Sequence, residues 1–542
     1  NSAIIISFKH NDNEIMLKRI IIKNFKGIKS LDLEFNDIRT ILVGNNGVGK
    51  STIIEALRLA LSGENSVELT LFSFHKSCWS VTDRAISNLP KIEIEVYFSD
   101  IVKGPDFRGK SNLLIEEHPG IRFTYEFDEA YEDLYSHTTH DYVPCEYYHT
   151  TRFWFSGQPA KTKLLPFKLF IIDSANTFFN SRPRQFMSRL LEDDTDDFRP
   201  KLLSCLAGMR DSFEKNDKVK CINEELSQRA GKIKKELGVS IDLVSKNSYS
   251  SVLSPMVDGI PFEFAGLGEQ CIVKTLLSLG DDDSGKPRIL IVEEPETHLS
   301  HTMMYNLMKL LEEKVQSQII ISTHSSFVAN RMELDNLVVL SKGEDGTVYS
   351  KNLQKDLKDK EYNFFFKATD FATLRLILCK AAILVEGPTD EIVCNYYMKQ
   401  TNRDMYHNGI ELMAVGGVSF GHFVELSKDL KIKVAIVRDK DDKSRDYYEK
   451  LYFANSPVDN IRIFLDDNNH TIEPSFVAAN KDKLHDLSST VRKKRNSDET
   501  TDTLIDFMSN NKTEWAYRLI QCSQQFEVPQ YIKDAFEWID GK

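Results

Sequence analysis

No apolar stretch in this 542-residue sequence approaches the roughly 20 residues that cross a bilayer, and the early run Ile4-Ile5-Ile6 is too short for the apolar core of a signal peptide. No membrane role is expected. Positive charge is scarce: 69 Lys and Arg against 81 Asp and Glu leave a formal net charge of -12. That balance argues against a protein that coats nucleic acid by bulk electrostatics and confines any such contact to local basic patches. Arg492-Lys493-Lys494-Arg495 is the sharpest run and also fits a solvated loop, while Lys161, Lys163 and Lys168 are weaker candidates. Cysteine is sparse too. The eight thiols, from Cys78 to Cys522, show no metal-ligand spacing in a chain too large to need disulfide staples, so a reduced, cytoplasmic protein is expected. Asn1 in place of Met implies a trimmed start. Internal repeats and long low-complexity tracts are missing.

What remains is ordinary globular composition, 41% hydrophobic and 28% charged, at a length that predicts roughly three or four domains. Strand patterns run over Leu17 to Phe25, Lys29 to Phe35 and Arg39 to Val43, then a glycine loop, then Ser51 to Ser62 with Ile53, Ile54, Leu57 and Leu61 at helical spacing. Further strands are predicted at Ile92 to Phe98, Ile121 to Phe127 and Phe167 to Asp173. From about Ser181 the chain turns charged and helical. The pattern predicts an α/β domain in two parts, 1–180 and 251–345, interrupted at 181–250 by a helical insertion suited to dimerisation. The second part carries strands at Ile289 to Val292, Gln318 to Ser322 and Leu337 to Leu340. A linker over 346–378, with a helix at Phe371 to Leu378, leads to 379–542, where buried-type strands at Ala381 to Val385, Leu412 to Val415, Val434 to Val437 and Ile461 to Leu465 alternate with helices. That alternation implies a parallel sheet with ligands at its carboxyl ends.

Gly44-Asn45-Asn46-Gly47-Val48-Gly49-Lys50-Ser51 fits the phosphate-loop pattern at every defined position, between a strand and a helix. Its backbone N–H groups would cradle the phosphates of ATP, Lys50 would reach the β and γ phosphates, and Ser51, followed by Thr52, would ligate Mg²⁺. Ile289 to Val292 runs into Glu293 and Glu294. Glu293 would hold Mg²⁺ through water and Glu294 would polarise the attacking water; the same acids beside Pro295 also suit an ordinary helix start. His324, after the strand Ile319 to Ser322, lies where a γ-phosphate sensor belongs. Ala265-Gly266-Leu267-Gly268-Glu269-Gln270 opens a further helix.

Together with Ile22-Lys23-Asn24-Phe25-Lys26-Gly27, these motifs resemble the ABC-type ATPase heads of the RecF, SMC and Rad50 group, with Gly266 and Gly268 in the signature loop. In that group two heads sandwich ATP, so the resemblance implies a homodimer or a higher homo-oligomer. Gly266 stands where the signature Ser is usual, and Glu293 where the second motif usually has Asp.

A second carboxylate set follows. Glu386 ends a strand and Asp390 lies in the first turn of the next helix, while Asp439 and Asp441 sit at i and i+2 after a neighbouring strand. Convergent carboxylates of this kind repel one another unless hard cations such as Mg²⁺ or Mn²⁺ neutralise them. Taken singly, Asp390 and Glu391 also suit a helix dipole, and Lys440 to Lys443 a solvated loop.

Glu386-Gly387-Pro388-Thr389-Asp390, Gly416-Gly417, Asp439-Lys440-Asp441, Thr471-Ile472-Glu473 and Asn511-Lys512 resemble a Toprim nuclease domain. The order of head then Toprim is similar to the overcoming-lysogenisation-defect (OLD) family of ATP-dependent nucleases, across essentially the whole chain. Its heads carry Glu-Glu-Pro-Glu and Gly-x-Gly at the two departures above. The resemblance implies two Mg²⁺ or Mn²⁺ held by Glu386, Asp390, Asp439, Asp441 and Glu473, with Lys512 offsetting charge in the transition state. It also implies DNA as substrate with RNA possible, a role in bacterial anti-phage defence, and a defence-system partner protein or retron nucleic acid in some relatives. A ribonuclease, or an ATP-gated DNA-binding scaffold with an inert Toprim domain, remains open at this stage.

Overall fold

The structure is a computed structural model that describes residues 15–62, 69–80, 85–102, 104, 106–137, 142–173, 198–229, 239, 256–278, 286–313, 317–325, 328–329, 336–343, 345–352, 371–405, 408–416, 420–453, 458–492 and 500–541. The chain is α/β, with a twelve-stranded mixed sheet followed by a four-stranded parallel sheet. Among the described residues no disulfide joins any of the eight cysteines, and no helix is long and apolar enough to cross a membrane.

The head is built on a twelve-stranded mixed sheet. In chain order its strands are β1 Leu17–Phe25, β2 Ile28–Glu34, β3 Arg39–Val43, β4 Ile92–Phe98, β5 Arg108–Gly109, β6 His118–Phe127, β7 Tyr148–Trp154 and β8 Lys168–Asp173. A two-stranded hairpin, β9 Met256–Val257 and β10 Ile260–Pro261, stands apart from it. The sheet resumes with β11 Arg288–Glu293, β12 Ser317–Thr323, β13 Leu337–Lys342 and β14 Thr347–Asn352. Across the sheet the order is β5-β6-β4-β1-β2-β14-β13-β3-β12-β11-β8, with β7 on β6. β1, β2, β4, β6 and β7 form an antiparallel lobe, whereas β11 runs parallel to both β12 and β8. Ile289, Leu290, Ile291 and Val292 are all buried, as a strand covered on both faces requires.

Besides the two-residue strands β5, β9 and β10, two longer strands depart from the expectation. β7, with Tyr148-His149-Thr150-Thr151-Arg152, and β14, whose only deeply buried apolar residue is Val348, carry too little apolar alternation to announce themselves. β14 pairs with β2 and so carries the head sheet to Asn352, past residue 345. β4 differs in another way. Ile92-Glu93-Ile94-Glu95 reads as a strand with a wet face, yet Glu93 and Glu95 are both buried, Glu93 paired with Arg122 and Lys91 and Glu95 bonded to the backbone of Leu113. Glu95 accepts hydrogen bonds from Leu113 N–H at 2.9 Å and Tyr97 O–H at 2.6 Å, which offset part of the cost of sinking a carboxylate, though burial still raises its pKa. Within 181–250, two helices, Phe198–Lys215 and Asp217–Arg229, are described. Most of the rest of the insertion, and Lys493 to Arg495 of the basic run, lie outside the described residues. Arg492 stacks on Phe507 at 4.4 Å.

The C-terminal unit has a parallel sheet of order β16-β15-β17-β18, from β15 Ala381–Val385, β16 Ile410–Ala414, β17 Lys433–Val437 and β18 Ile461–Phe464. Alternate residues Ala381, Ile383, Val385, Ala435 and Val437 join one core with Tyr397, Trp515, Ile532 and Phe536, and the intervening Ala382, Leu384, Val434 and Ile436 are buried as well. The helix Gln530–Ile539 packs on β15, β17 and β18, and Lys512–Gln521 packs on Pro388–Thr401, the helix that carries Asp390. Trp515 of Lys512–Gln521 is fully buried and packs against Phe476 of the helix Ile472–Ala479 at 5.3 Å. Trp515→Ala is expected to cost about 3–5 kcal/mol, read as a lower urea midpoint by circular dichroism; an unchanged midpoint would contradict this packing.

Candidate functional site

At the head, the loop Gly44 to Gly49 follows β3 and leads into the helix Lys50–Leu61, whose buried Ile53, Ile54 and Leu57 seat it. Gly47 and Gly49 have φ of 77 and 117°, a backbone that side chains rarely adopt; a Cβ at Gly49 would also press on Ile28 at 3.1 Å. Asn45, Asn46 and Ser51 are exposed, Thr52 half-buried, and Lys50 buried. Burial lowers the Lys50 pKa, and the negative field of Glu294 and Glu296 opposes the shift.

Glu293 is the last residue of β11 and is buried. Glu294 next to it adopts a left-handed backbone, φ 41°, and its N–H donates to Ser322 O at 2.9 Å. A non-glycine residue held there is strained, a feature that concentrates at functional sites. Thr323 O–H donates to Glu296 at 2.7 Å, so the ends of β11 and β12 are tied together, and the exposed His324 follows directly. Gly266 has open space around it. Gly268 does not: a Cβ there would stand 2.6 Å from the His298 carbonyl, so the start of the helix Leu267–Ser278 rests on backbone just beyond the acidic pair.

In the C-terminal unit, β15 and β17 pair in parallel with Val385 opposite Val437, so Glu386 and Arg438-Asp439 leave the sheet side by side. Asp390 is buried in the first turn of its helix, where its carboxylate accepts from Gly387 N–H at 3.0 Å, and Pro388 at the helix start fixes that turn. Glu473, 2% exposed, occupies the first turn of Ile472–Ala479. Asp441 is exposed, with a left-handed φ of 50°. Burial, followed by the charges of Asp390, Glu386, Glu473 and Asp441, pushes the Asp439 carboxyl up to about 8; burial first, then Glu386 and Glu473, takes Asp390 to about 7. These five carboxylates therefore share one field.

Buried Oε2 of Glu386 and Oε1 of Glu473 have no hydrogen-bond partner. Such orphaned anionic oxygens, in an all-oxygen donor set, fit a hard divalent cation. Among the described residues, however, no three His, Cys, Asp or Glu side chains stand close enough to enclose a metal as they are placed. Asp390 is turned to the Gly387 N–H, and Glu386 faces Arg438 at 3.8 Å. Lys512 is exposed at the start of its helix, with no hydrogen bond or ion pair to the carboxylates among the described residues. Gly417 lies outside the described residues. Sequence reasoning passed over Arg438, a buried guanidinium between Glu386 and Asp441, and the Tyr448 and Tyr452 that hold it. Its only signal was a cation at the end of an apolar strand, and two tyrosines at i and i+4.

Residues 39–330 match the family described as "AAA domain, putative AbiEii toxin, Type IV TA system", and residues 377–441 match "Overcoming lysogenization defect protein-like, TOPRIM domain". The chain is 26% identical over 469 residues to an OLD nuclease of Thermus scotoductus, covering 79% of this chain and 82% of that one. It is 24% identical over 463 residues to endonuclease GajA of Bacillus cereus, covering 80% and 76%. Of solved structures, the C-terminal region of the Xanthomonas campestris OLD protein covers 30% of this chain and 94% of its own length, at 20% identity and a TM-score of 0.23. The chain belongs to the AAA family whose model matches residues 39–330, and it carries an OLD-like Toprim domain over residues 377–441.

Proposed function

We propose that this protein hydrolyses phosphodiester bonds of DNA in a divalent-cation-dependent reaction governed by ATP at the head, as part of anti-phage defence. The observation that carries the reading is the register of β15 and β17, which delivers Glu386 and Asp439 to one edge beside Asp390, with buried carboxylate oxygens that lack donors. Cations held by Glu386, Asp390, Asp439, Asp441 and Glu473 would supply Lewis-acid activation of the attacking water and the leaving oxygen. The chain's own groups do the rest: Asp390 and Asp439 give up protons as the site loads, and Lys512 places positive charge for the transition state. At the head, the loop from Gly44 to Thr52 and Gly266 with Gly268 bind nucleotide, Glu293 and Ser51 hold its Mg²⁺, Glu294 polarises water and His324 senses the γ phosphate. Relatives named OLD nuclease and endonuclease GajA support nucleic acid as substrate.

The heads are proposed to act as a homodimer or larger assembly, with the insertion at 181–250 as contact surface, the head parts spanning 1–180 and 251–352 through β14, and the nuclease domain 379–542. A second reading, an ATP-gated scaffold, is favoured by one observation: no three carboxylates are placed to enclose a metal among the described residues.

Purified protein incubated with plasmid DNA and with RNA, in Mg²⁺, Mn²⁺ or EDTA and with or without ATP, separates these readings. Glu386→Ala or Asp439→Ala is expected to lower cleavage on the order of a hundredfold while ATP hydrolysis persists; cleavage at the wild-type rate would sink the assignment. Lys50→Ala should lose ATP binding, and Glu294→Gln should bind ATP without turning it over. Light scattering should give at least a dimer. A wild type that cuts neither polymer favours the scaffold.

The raised carboxyls also set a pH dependence. Asp390 at about 7 and Asp439 at about 8 lie above their unfolded values, so the metal-free folded state holds extra protons between those limits. Its stability therefore falls as pH rises from about 4 to about 8 and then levels. In EDTA the wild-type Tm should decline across this window, and Asp439→Asn should flatten the decline. Parallel slopes would place the titration elsewhere.

A further inference from the structure

Arg438 follows β17 directly, and its side chain is only 7% exposed. Three of its surfaces are already committed. Nη1 donates to Tyr452 Oη at 2.6 Å, Nε donates to the Asp439 carbonyl at 3.1 Å, and the guanidinium plane lies 3.8 Å from the centre of the Tyr448 ring. Tyr448 and Tyr452 stack on each other at 6.3 Å, one turn apart on the helix Arg445–Phe453, and Phe420 adds a second ring 5.5 Å from the guanidinium. What remains is Nη2, which points between Asp441 Oδ2 at 3.5 Å and Glu386 Oε2 at 3.8 Å. Both separations exceed an ordinary N–H···O bond, so neither carboxylate oxygen is closed off. The phenol of Tyr448 also lies 3.5 Å from Asp441 Oδ2.

The guanidinium is thus gripped by aromatic rings and backbone rather than by the acids it faces. Lysine would keep the charge but has neither the planar face for the ring nor the fork that donates to Tyr452 and the Asp439 carbonyl at once. We propose that Arg438 is a positioning residue, a built-in counter-cation that keeps Glu386 and Asp441 in place before any metal arrives and holds down the affinity of the centre for divalent cations. A charge fixed this near half-buried Glu386, whose Oε2 is shielded from water, and near exposed Asp441 offsets their mutual repulsion in the metal-free protein. The same fixed charge repels an incoming cation. Since the rings, not the acids, hold Arg438, it stays when the cation binds, and the repulsion outweighs the ordering it provides.

The inference rests on the carboxylate cluster being the cation site. Calorimetric titration of Mn²⁺ into wild type, Arg438→Met and Arg438→Lys, with Tm measured in EDTA, tests it. Arg438→Met should bind Mn²⁺ about tenfold more tightly or better and melt lower in EDTA, while Arg438→Lys, which keeps the charge, should stay within about threefold of wild type. Adding Glu386→Gln and Asp441→Asn to Arg438→Met should restore the metal-free Tm, because the acids that needed the cation are gone; this triple variant should fold even if Arg438→Met does not. Unchanged or weaker Mn²⁺ binding by Arg438→Met overturns the role in metal affinity, and losses that simply add in the triple variant, or its failure to fold, overturn the counter-cation role. Wild type that binds no Mn²⁺ overturns the cation site itself, a result distinct from either.

Discussion

Like-charge repulsion among Glu386, Asp390, Asp439, Asp441 and Glu473 is the constraint around which the C-terminal unit is organised. Parallel pairing of β15 with β17 forces two of these acids to one edge, and two helix starts bring Asp390 and Glu473 to the same field. A fold that spends so much burial on carboxylates must neutralise them. It does so in part with protons on Asp390 and Asp439, in part with the Gly387 N–H, and in part with one clamped guanidinium. Each of these devices is weaker than a divalent cation would be at the same oxygens.

The head solves a related problem with the opposite sign. There the ligand brings the negative charge, and the chain supplies a helix start, backbone donors and a buried lysine, with acids confined to the end of β11. Both sites exploit the carboxyl ends of parallel strands, where side chains from separate strands converge without distorting the sheet. Glu294 is the exception that proves informative. Its left-handed backbone, pinned through Ser322, aims a residue that ordinary strand geometry would direct elsewhere.

Strands whose four or more consecutive residues are apolar, such as Ile289 to Val292 and Ala381 to Val385, were legible because burial on both faces leaves a run that no other element of that length shows. β7 and β14 were not, because polar residues dominate them and their pairing is settled by neighbours far along the chain. The partners of buried Glu93 and Glu95 likewise include Arg122 and Leu113, whose approach nothing local to β4 encodes.

The sequence by itself determined the chemistry at each motif: glycines and a lysine between strand and helix, paired acids at strand ends, and the OLD-like order of head and Toprim domain. Those features are local, since backbone permissiveness, charge and period are properties of a few consecutive residues. Tertiary structure decided the rest. It paired β15 with β17 in the register that crowds the acids, buried Glu386 Oε2 and Glu473 Oε1 without donors, and set Arg438 on Tyr448 between Glu386 and Asp441. Convergence, burial and screening belong to distances between segments, and a linear order of residues carries no such distances.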